Sequence, residues 1–86
     1  MKLKDGFILR EVAGEHVVIP SGDALDLNMM ITLNETGTFL WKNLESETDE
    51  ESLVSALLGE YDVEEPAARK HVSAFVAKLK EHDFLA

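Results

Sequence analysis

The first third of the chain carries an apolar pattern of period two, which is typical of β-strands. Residues 7–12 (FILREV) and 15–20 (EHVVIP) are β-prone, and Ala13-Gly14 separates them. A two-residue connection that ends in glycine suits a tight hairpin. A third run, residues 29–33 (MMITL), also alternates, with its odd-numbered residues on one face, and residues 24–28 fit either this strand or the loop before it. We therefore predict three strands.

From Asn34 onward the apolar period changes from two to about 3.6, which predicts helices. Asn34 is a good N-cap residue for the first of them. Gly37 lies inside this helix, where glycine costs about 1 kcal/mol relative to alanine, so we expect it to mark a close packing contact. The apolar stripe of this helix is formed by Phe39, Leu40 and Leu44, with Trp41 beside it.

Two further helices are predicted, each opening with the spacing of a capping box. Thr48 and Glu51 predict the start of the second helix, and Asp62 and Glu65 predict the start of the third. Pro66 then falls in a first turn, where proline is tolerated. The apolar stripes are Leu53, Val54, Leu57, Leu58 and Tyr61 in the second helix, and Ala68, Val72, Phe75, Val76 and Leu79 in the third. After the third helix, Phe84 and Leu85 are available to fold back as an apolar anchor.

The order of the predicted elements is three strands followed by three helices. Such segregation favours an α+β fold in which the helices cover one face of a small antiparallel sheet. A chain of 86 residues has room for one core. We therefore expect residues 1–86 to form a single domain.

The charge balance changes which partners are expected. Acidic residues outnumber basic ones by 17 to 8, and the net charge is −9. Proteins that bind nucleic acids usually present a basic face, so nucleic-acid binding is disfavoured. The sequence contains no cysteine, which excludes disulfides and thiolate metal sites. It also lacks the long apolar segment of a signal peptide or a membrane span, so we expect a cytoplasmic protein without a membrane partner.

The residues give no sign of catalysis or of a bound cofactor. His71 and His82 fall on nearly the same face of the third helix but about 16 Å apart along its axis, and His16 lies in a strand. A single metal ion needs its ligands much closer together than that. Nucleophile and phosphate-binding motifs are missing from the sequence, and the carboxylates gather at helix starts, where capping explains them. We expect no enzyme activity, no metal and no cofactor.

Two features instead suggest a binding surface. Met29 and Met30 are adjacent in the third strand, and methionine is favoured both at adaptable binding surfaces and in gaps of the core. Neighbouring strand residues point to opposite faces, so one of the two should point away from the helices. In addition, three strands cannot close a barrel, and an unpaired edge is a template for an added strand.

The block Leu33-Asn34-Glu35-Thr36-Gly37-Thr38-Phe39-Leu40-Trp41 resembles the PqqD-like family, which is named for coenzyme pyrroloquinoline quinone synthesis protein D. The resemblance continues through residues 51–54 and 57–63, then through Val72, Phe75 and Leu79 to residues 83–85, and it covers roughly residues 7 to 86. It implies a winged helix-turn-helix-like fold with strands first and helices after. It also implies a peptide chaperone that binds the leader of a ribosomally made precursor peptide and presents it to a modifying enzyme, often a radical S-adenosylmethionine enzyme.

In that family the leader adds as a strand beside the third strand and lies against the third helix. Carried over to this sequence, the resemblance implies a peptide-binding site formed by Met29, Met30, Ile31, Thr32, Arg69, Val72, Ser73, Val76 and Lys80. The opposite flank of the third helix offers an alternative set, His71, Phe75 and Lys78, and the sequence does not choose between the two flanks.

Several alternatives remain open on the sequence. The precursor peptide can belong to pyrroloquinoline quinone biosynthesis or to another modified-peptide pathway. A winged-helix DNA-binding regulator is a competing hypothesis, against which the missing basic helix argues. A structural dimerisation module is a third hypothesis, and we expect the protein to be a monomer or a weak homodimer.

Overall fold

The structure, a computed structural model, describes residues 1–20 and 31–86. Within these two ranges, three strands are followed by three helices, which confirms the predicted α+β class. The predictions for Met29 and Met30, and for the extent of the third strand before Ile31, lie outside the described residues.

The three strands form one antiparallel sheet, in which they lie side by side in chain order. Strand β1 spans Phe7–Val12, β2 spans Glu15–Pro20 and β3 spans Ile31–Leu33. At the predicted hairpin, Ala13 and Gly14 have φ angles of 53° and 83°, which are close to those of a type I′ turn. This turn type matches the twist of the flanking strands, and glycine adopts its second position without strain.

The helices are α1, Glu35–Asn43, α2, Glu50–Glu60, and α3, Glu65–Glu81. Asn34 caps α1 as predicted, because its side chain accepts a hydrogen bond from the backbone N–H of Gly37 at 2.7 Å. The close packing contact expected at Gly37 is also confirmed, since a β-carbon there would lie 3.3 Å from the ring of Phe75.

The two predicted capping boxes are wrong. Asp49 caps α2 by accepting the N–H of Ser52 at 2.7 Å. Thr48 cannot take that role because its backbone N–H and carbonyl are both hydrogen-bonded to Met1, which delays the helix by one residue. The residue before α3 is Glu64 rather than Asp62, and its side chain makes no capping hydrogen bond. Proline in the first turn of α3 is as predicted.

One apolar core joins the sheet to all three helices. Ile31 and Leu33 of β3 are buried while Thr32 between them is exposed, as strand alternation requires. The predicted helix stripes are largely buried, but Leu58 is 38% exposed, because it lies about 100° around α2 from the buried Leu57. The buried apolar side chains of the helices are Leu40, Trp41, Leu53, Val54, Leu57, Ala68, Val72, Val76 and Leu79.

The two ends of the described chain are joined to each other. Leu3 and Leu85 form a β-bridge, the N–H of Lys4 donates to the carbonyl of Phe84 at 2.8 Å, and the N–H of Ala86 donates to the carbonyl of Lys2 at 2.8 Å. The side chain of Phe84 is fully buried, with its ring centroid 4.6 Å from that of Phe7. The predicted C-terminal anchor is confirmed, and its partner is the N-terminal segment.

Candidate functional site

An open cavity of about 1110 Å³ lies between the end of the β1–β2 hairpin, β3, α1 and α3. Its volume is slightly above the range of about 300–1,000 Å³ that is typical of ligand pockets. The residues that line it are Gly14, Glu15, His16, Thr32, Leu33, Asn34, Glu35, Thr36, Gly37, Thr38, Phe39, Leu40, Lys42, Tyr61, His71, Ala74, Phe75 and Lys78.

Helix α1 contributes one stripe of side chains to the cavity. Glu35, Phe39 and Lys42 have the i, i+4, i+7 spacing that places residues on one face. The start of this helix is held by three hydrogen bonds to Asn34. Its side chain accepts from the N–H of Gly37, and its carbonyl accepts from the N–H and from Oγ1 of Thr38, both at 2.9 Å. The wall that α1 forms is therefore fixed at its N-terminal end.

Helix α3 provides the opposite wall. His71, Ala74, Phe75 and Lys78 again follow the spacing of one helical face. Phe75 is half-buried, while the other three side chains are exposed. Because Gly37 has no side chain, the ring of Phe75 approaches the first turn of α1 closely. This contact joins the two walls at one end of the cavity.

Aromatic rings supply much of the apolar surface of the cavity. Phe39 and Tyr61 pack edge to face, with ring centroids 5.6 Å apart and planes at 87°. Desolvation raises the pKa of the Tyr61 hydroxyl, and the nearby carboxylates of Glu35 and Glu60 raise it further. The phenol therefore stays neutral at physiological pH and can donate a hydrogen bond to a ligand.

The edge of β3 beside the cavity has no strand partner among residues 1–20 and 31–86. In this part of the chain β3 pairs with β2 alone, through His16 with Leu33, Val17 with Thr32 and Val18 with Ile31. An antiparallel strand that is paired on one side points half of its backbone groups away from its neighbour. The free edge and the cavity are adjacent because Thr32 and Leu33 belong to both.

The predicted site residues do not all meet at this cavity. Thr32 lines it, whereas Ile31, Val72 and Val76 are part of the core, with only 1% and 2% of the two valine side chains exposed. Val72 and Val76 therefore cannot offer contact surface to a ligand in the folded state. Met29 and Met30 lie outside the described residues.

The remaining predicted residues lie on the other side of α3. Arg69 makes a bidentate ion pair with Glu51, with Nη1 2.6 Å from Oε1, and it also contacts Glu65. These hydrogen bonds lower the pKa of the Glu51 carboxyl and tie α2 to α3. Ser73 and Lys80 are exposed and do not line the cavity. The alternative flank, with His71, Phe75 and Lys78, is the one that lines it.

The cavity is also lined by the hairpin end, Phe39, Lys42 and Tyr61, none of which was predicted from the sequence as part of the site. The apolar period assigned Phe39 and Tyr61 to core stripes, and both are in fact half-buried at the edge of the core. The available signal was the hydroxyl of Tyr61, because a tyrosine side chain has an apolar body and a polar tip and so favours the edge of a core.

Within residues 1–20 and 31–86, no three His, Cys, Asp or Glu side chains gather in a way that would hold a metal ion. In the same part of the chain, none of the helices has both the length and the apolar composition needed to cross a membrane.

Comparison with solved structures gives two matches with leader-peptide complexes. The first is TbiB1 in complex with the TbiA(beta) leader peptide, at a TM-score of 0.77 and 25% identity, covering 99% of this chain and 94% of that chain. The second is lasso peptide synthetase B1 complexed with the leader peptide, at a TM-score of 0.72 and 22% identity, covering 96% of this chain and 93% of that chain. The second likeness shows the shared fold alone.

Compared with curated protein sequences, the chain gives no significant match. The family model for coenzyme PQQ synthesis protein D (PqqD) matches residues 15–85, which is most of the chain and includes β2, β3 and all three helices. The chain therefore belongs to the PqqD family.

Proposed function

We propose that this protein binds the leader segment of a ribosomally made precursor peptide in extended form and presents it to a peptide-modifying enzyme. The leader adds as a strand to the free edge of β3, and its side chains enter the cavity between β3, α1 and α3. The observation that carries this proposal is that, among residues 1–20 and 31–86, an edge of β3 without a strand partner lies beside a cavity with aromatic walls.

Each half of this arrangement supplies a different part of recognition. Backbone hydrogen bonds along a strand edge give affinity that does not depend on sequence, and pockets for alternate side chains give specificity. The half-buried rings of Phe39, Tyr61 and Phe75 offer apolar contact surface for one or two of those side chains. The two solved structures compared above, TbiB1 and lasso peptide synthetase B1, are complexes with leader peptides, which supports a peptide as the ligand.

We assign the α3 side of this groove to His71, Phe75 and Lys78 rather than to the flank with Arg69, Ser73 and Lys80. The first set lines the cavity. In the second set, the guanidinium of Arg69 is already hydrogen-bonded to two carboxylates. A peptide that used Arg69 would have to break those bonds first.

Membership in the PqqD family supports an adaptor role for the protein. We propose that residues 1–86 act as one recognition domain without catalytic activity, in the cytoplasm, where a ribosomally made peptide is released. The partner enzyme is of the radical S-adenosylmethionine type, and the pathway is pyrroloquinoline quinone biosynthesis or that of another modified peptide.

The test is a selection of peptides from a displayed library of random 12-residue sequences on the purified protein, followed by hydrogen exchange with a selected peptide. Strand addition should slow amide exchange at residues 31–33 on the free edge of β3. A neutral, bulky substitution in the groove, Ala74→Tyr, should weaken binding at least tenfold. Its matched control is Ala77→Tyr, because Ala77 is also an exposed alanine of α3 but does not line the cavity.

Equal loss of binding in the two variants, or protection confined to another part of the molecule, would contradict this binding mode. Failure of a folded protein to select any peptide would contradict the function itself. Co-purification of the tagged protein with a short precursor peptide and a modifying enzyme would then identify the pathway.

A further inference from the structure

The charge of the cavity differs from that of the molecule as a whole. Among the described residues that line it, Lys42 and Lys78 balance Glu15 and Glu35. The whole chain, in contrast, has a net charge of −9. Among residues 1–20 and 31–86 the excess of carboxylates therefore lies away from the cavity lining, which also includes His16 and His71.

Both lysines are exposed, and neither takes part in an ion pair within residues 1–20 and 31–86. Elsewhere in this part of the chain, Lys4 pairs with Asp83 at 2.8 Å and Arg69 pairs with Glu51. The two ammonium groups that line the cavity are thus available to an external anion.

The helix dipole explains the position of these lysines along their helices but not the face that they occupy. Lys42 is in the last turn of α1, and both Lys78 and Lys80 are in the last turn of α3, where positive charge is favoured. Lys80 fulfils that role without lining the cavity, whereas Lys78 lines it.

Each lysine also has an aromatic neighbour at the same spacing. Phe39 and Lys42 in α1, and Phe75 and Lys78 in α3, are both separated by three positions, and all four residues line the cavity. Residues at i and i+3 are neighbours on a helix surface. Each wall of the cavity therefore presents an aromatic ring beside an ammonium group.

We propose that the cavity selects peptide segments in which an acidic side chain lies close to an aromatic or large aliphatic one, with Lys42 and Lys78 as the specificity-determining residues. This proposal rests on the proposed function of peptide binding. The ring accepts the apolar side chain, and the ammonium group beside it pairs with the carboxylate. A lysine or arginine in the same place would be repelled.

The net negative charge of the molecule adds to this selectivity. An acidic peptide is repelled by the net negative charge of the molecule and attracted by Lys42 and Lys78 at the cavity. This complementary charge guides the peptide to the cavity and fixes its register. Exposed ion pairs contribute modestly and are screened by salt. We expect loss of both lysines to weaken an acidic peptide about tenfold at low salt, and less at high salt.

The experiment compares four forms of the full chain in the same displayed 12-residue library: the wild type, Lys42→Gln/Lys78→Gln, Lys42→Glu/Lys78→Glu, and the control Lys70→Gln/Lys80→Gln. The control removes two exposed positive charges from α3 without altering the cavity lining. The affinities of the most enriched wild-type peptide, labelled with fluorescein, are then measured by anisotropy at 50 and 300 mM NaCl. Circular dichroism confirms that each variant is folded.

We expect wild type and control to enrich Asp or Glu near an apolar residue, the Gln/Gln variant to lose that preference, and the Glu/Glu variant to prefer Lys or Arg. Peptides enriched without an acidic preference, or a preference that survives in the Gln/Gln variant, would overturn this proposal and leave peptide binding in place. Enrichment of no peptide by the folded wild type would overturn the proposed function and this inference together.

Discussion

Gly37 of α1 lies directly against the ring of Phe75 of α3. A β-carbon added to Gly37 would lie 3.3 Å from Cε1 of Phe75 and 3.1 Å from Oδ1 of Asn34, which are both closer than ordinary van der Waals contacts. The φ angle of Gly37 is not in the left-handed region, so the backbone conformation does not require glycine. Glycine is needed here because a side chain would lack space. The approach of the two helices at this end of the cavity depends on that missing side chain.

We expect Gly37→Ala to lower the free energy of unfolding by about 1 kcal/mol, even though alanine is the better helix former, because overpacking outweighs the gain in propensity. The control is Gly59→Ala in α2, where the added methyl group meets no atom within 4 Å. That substitution should raise the stability by about 0.5 kcal/mol. Urea unfolding measures the free energy of unfolding of both variants. A Gly37→Ala protein more stable than the wild type would show that the Phe75 ring moves aside at little cost.

Phe84→Ala should be among the most damaging single substitutions in the chain. The ring is fully buried between Phe7 and Trp41, and truncation of such a side chain costs about 3–5 kcal/mol. A small domain has only about 5–15 kcal/mol of stability in total. Thermal unfolding followed by circular dichroism should therefore show a midpoint lowered by well over 10 °C.

Phe39→Ala is the matched contrast to that variant, because Phe39 is half-buried and lines the cavity. We expect a smaller loss of stability, about 1–2 kcal/mol, together with a clear loss of affinity for a selected peptide. If Phe39→Ala left peptide affinity unchanged in the folded protein, the aromatic wall of α1 would not be part of the binding surface.

The two flanks of α3 should respond differently to substitution. Arg69→Gln removes the ion pairs with Glu51 and Glu65, so we expect reduced stability and unchanged affinity for a selected peptide. Phe75→Ala should instead reduce that affinity at least tenfold. Isothermal titration calorimetry of both variants with the same peptide compares the contributions of the two flanks to affinity. If Arg69→Gln lost affinity and Phe75→Ala did not, the binding surface would lie on the Arg69 side of α3.

Acid should weaken the cap of α2. The N–H of Ser52 donates to Asp49 and holds the pKa of that carboxyl below its usual value of 3.8. A pKa that is lower in the folded state stabilises the fold above pH 3.8, and that contribution is lost as the pH falls through the folded pKa. Asp49→Asn keeps an acceptor but does not titrate.

The stability advantage of the wild type over Asp49→Asn should therefore shrink as the pH is lowered from about 5 to about 2. Urea unfolding at several pH values measures this difference. Parallel curves for the two proteins would show that the Asp49 carboxylate does not contribute through its charge.

The sequence predicted the elements well where a single local signal was sufficient. The hairpin followed from Ala13-Gly14, the start of α1 from Asn34, and the buried stripe of α3 from its period. The start of α2 failed because a distant partner intervened: Met1 binds both backbone groups of Thr48. Contacts between residues 47 positions apart leave no trace in a local pattern.

The cavity was only partly predictable for a related reason. Helical geometry put two flanks of α3 on either side of its apolar stripe, but the packing partner on each side is set by tertiary structure. One flank meets Glu51 of α2, and the other faces α1 and the end of the hairpin. Val72 and Val76 were assigned to the binding surface by resemblance, whereas their positions on the central line of the stripe place them in the core.

The bond between the carbonyl of Lys2 and the N–H of Ala86 brings the beginning and the end of the described chain to one point. A flexible linker attached at either end would therefore start from the same place relative to the cavity, and a partner joined through it could reach the same positions. The effective concentration of a tethered enzyme at the bound peptide would then depend on the length of the linker and not on the order in which the two are joined. The same adjacency should allow the ends to be connected directly and the chain to be reopened between α2 and α3 at Asp62-Val63, an exposed pair that does not line the cavity, which would give a circular permutant with the cavity intact.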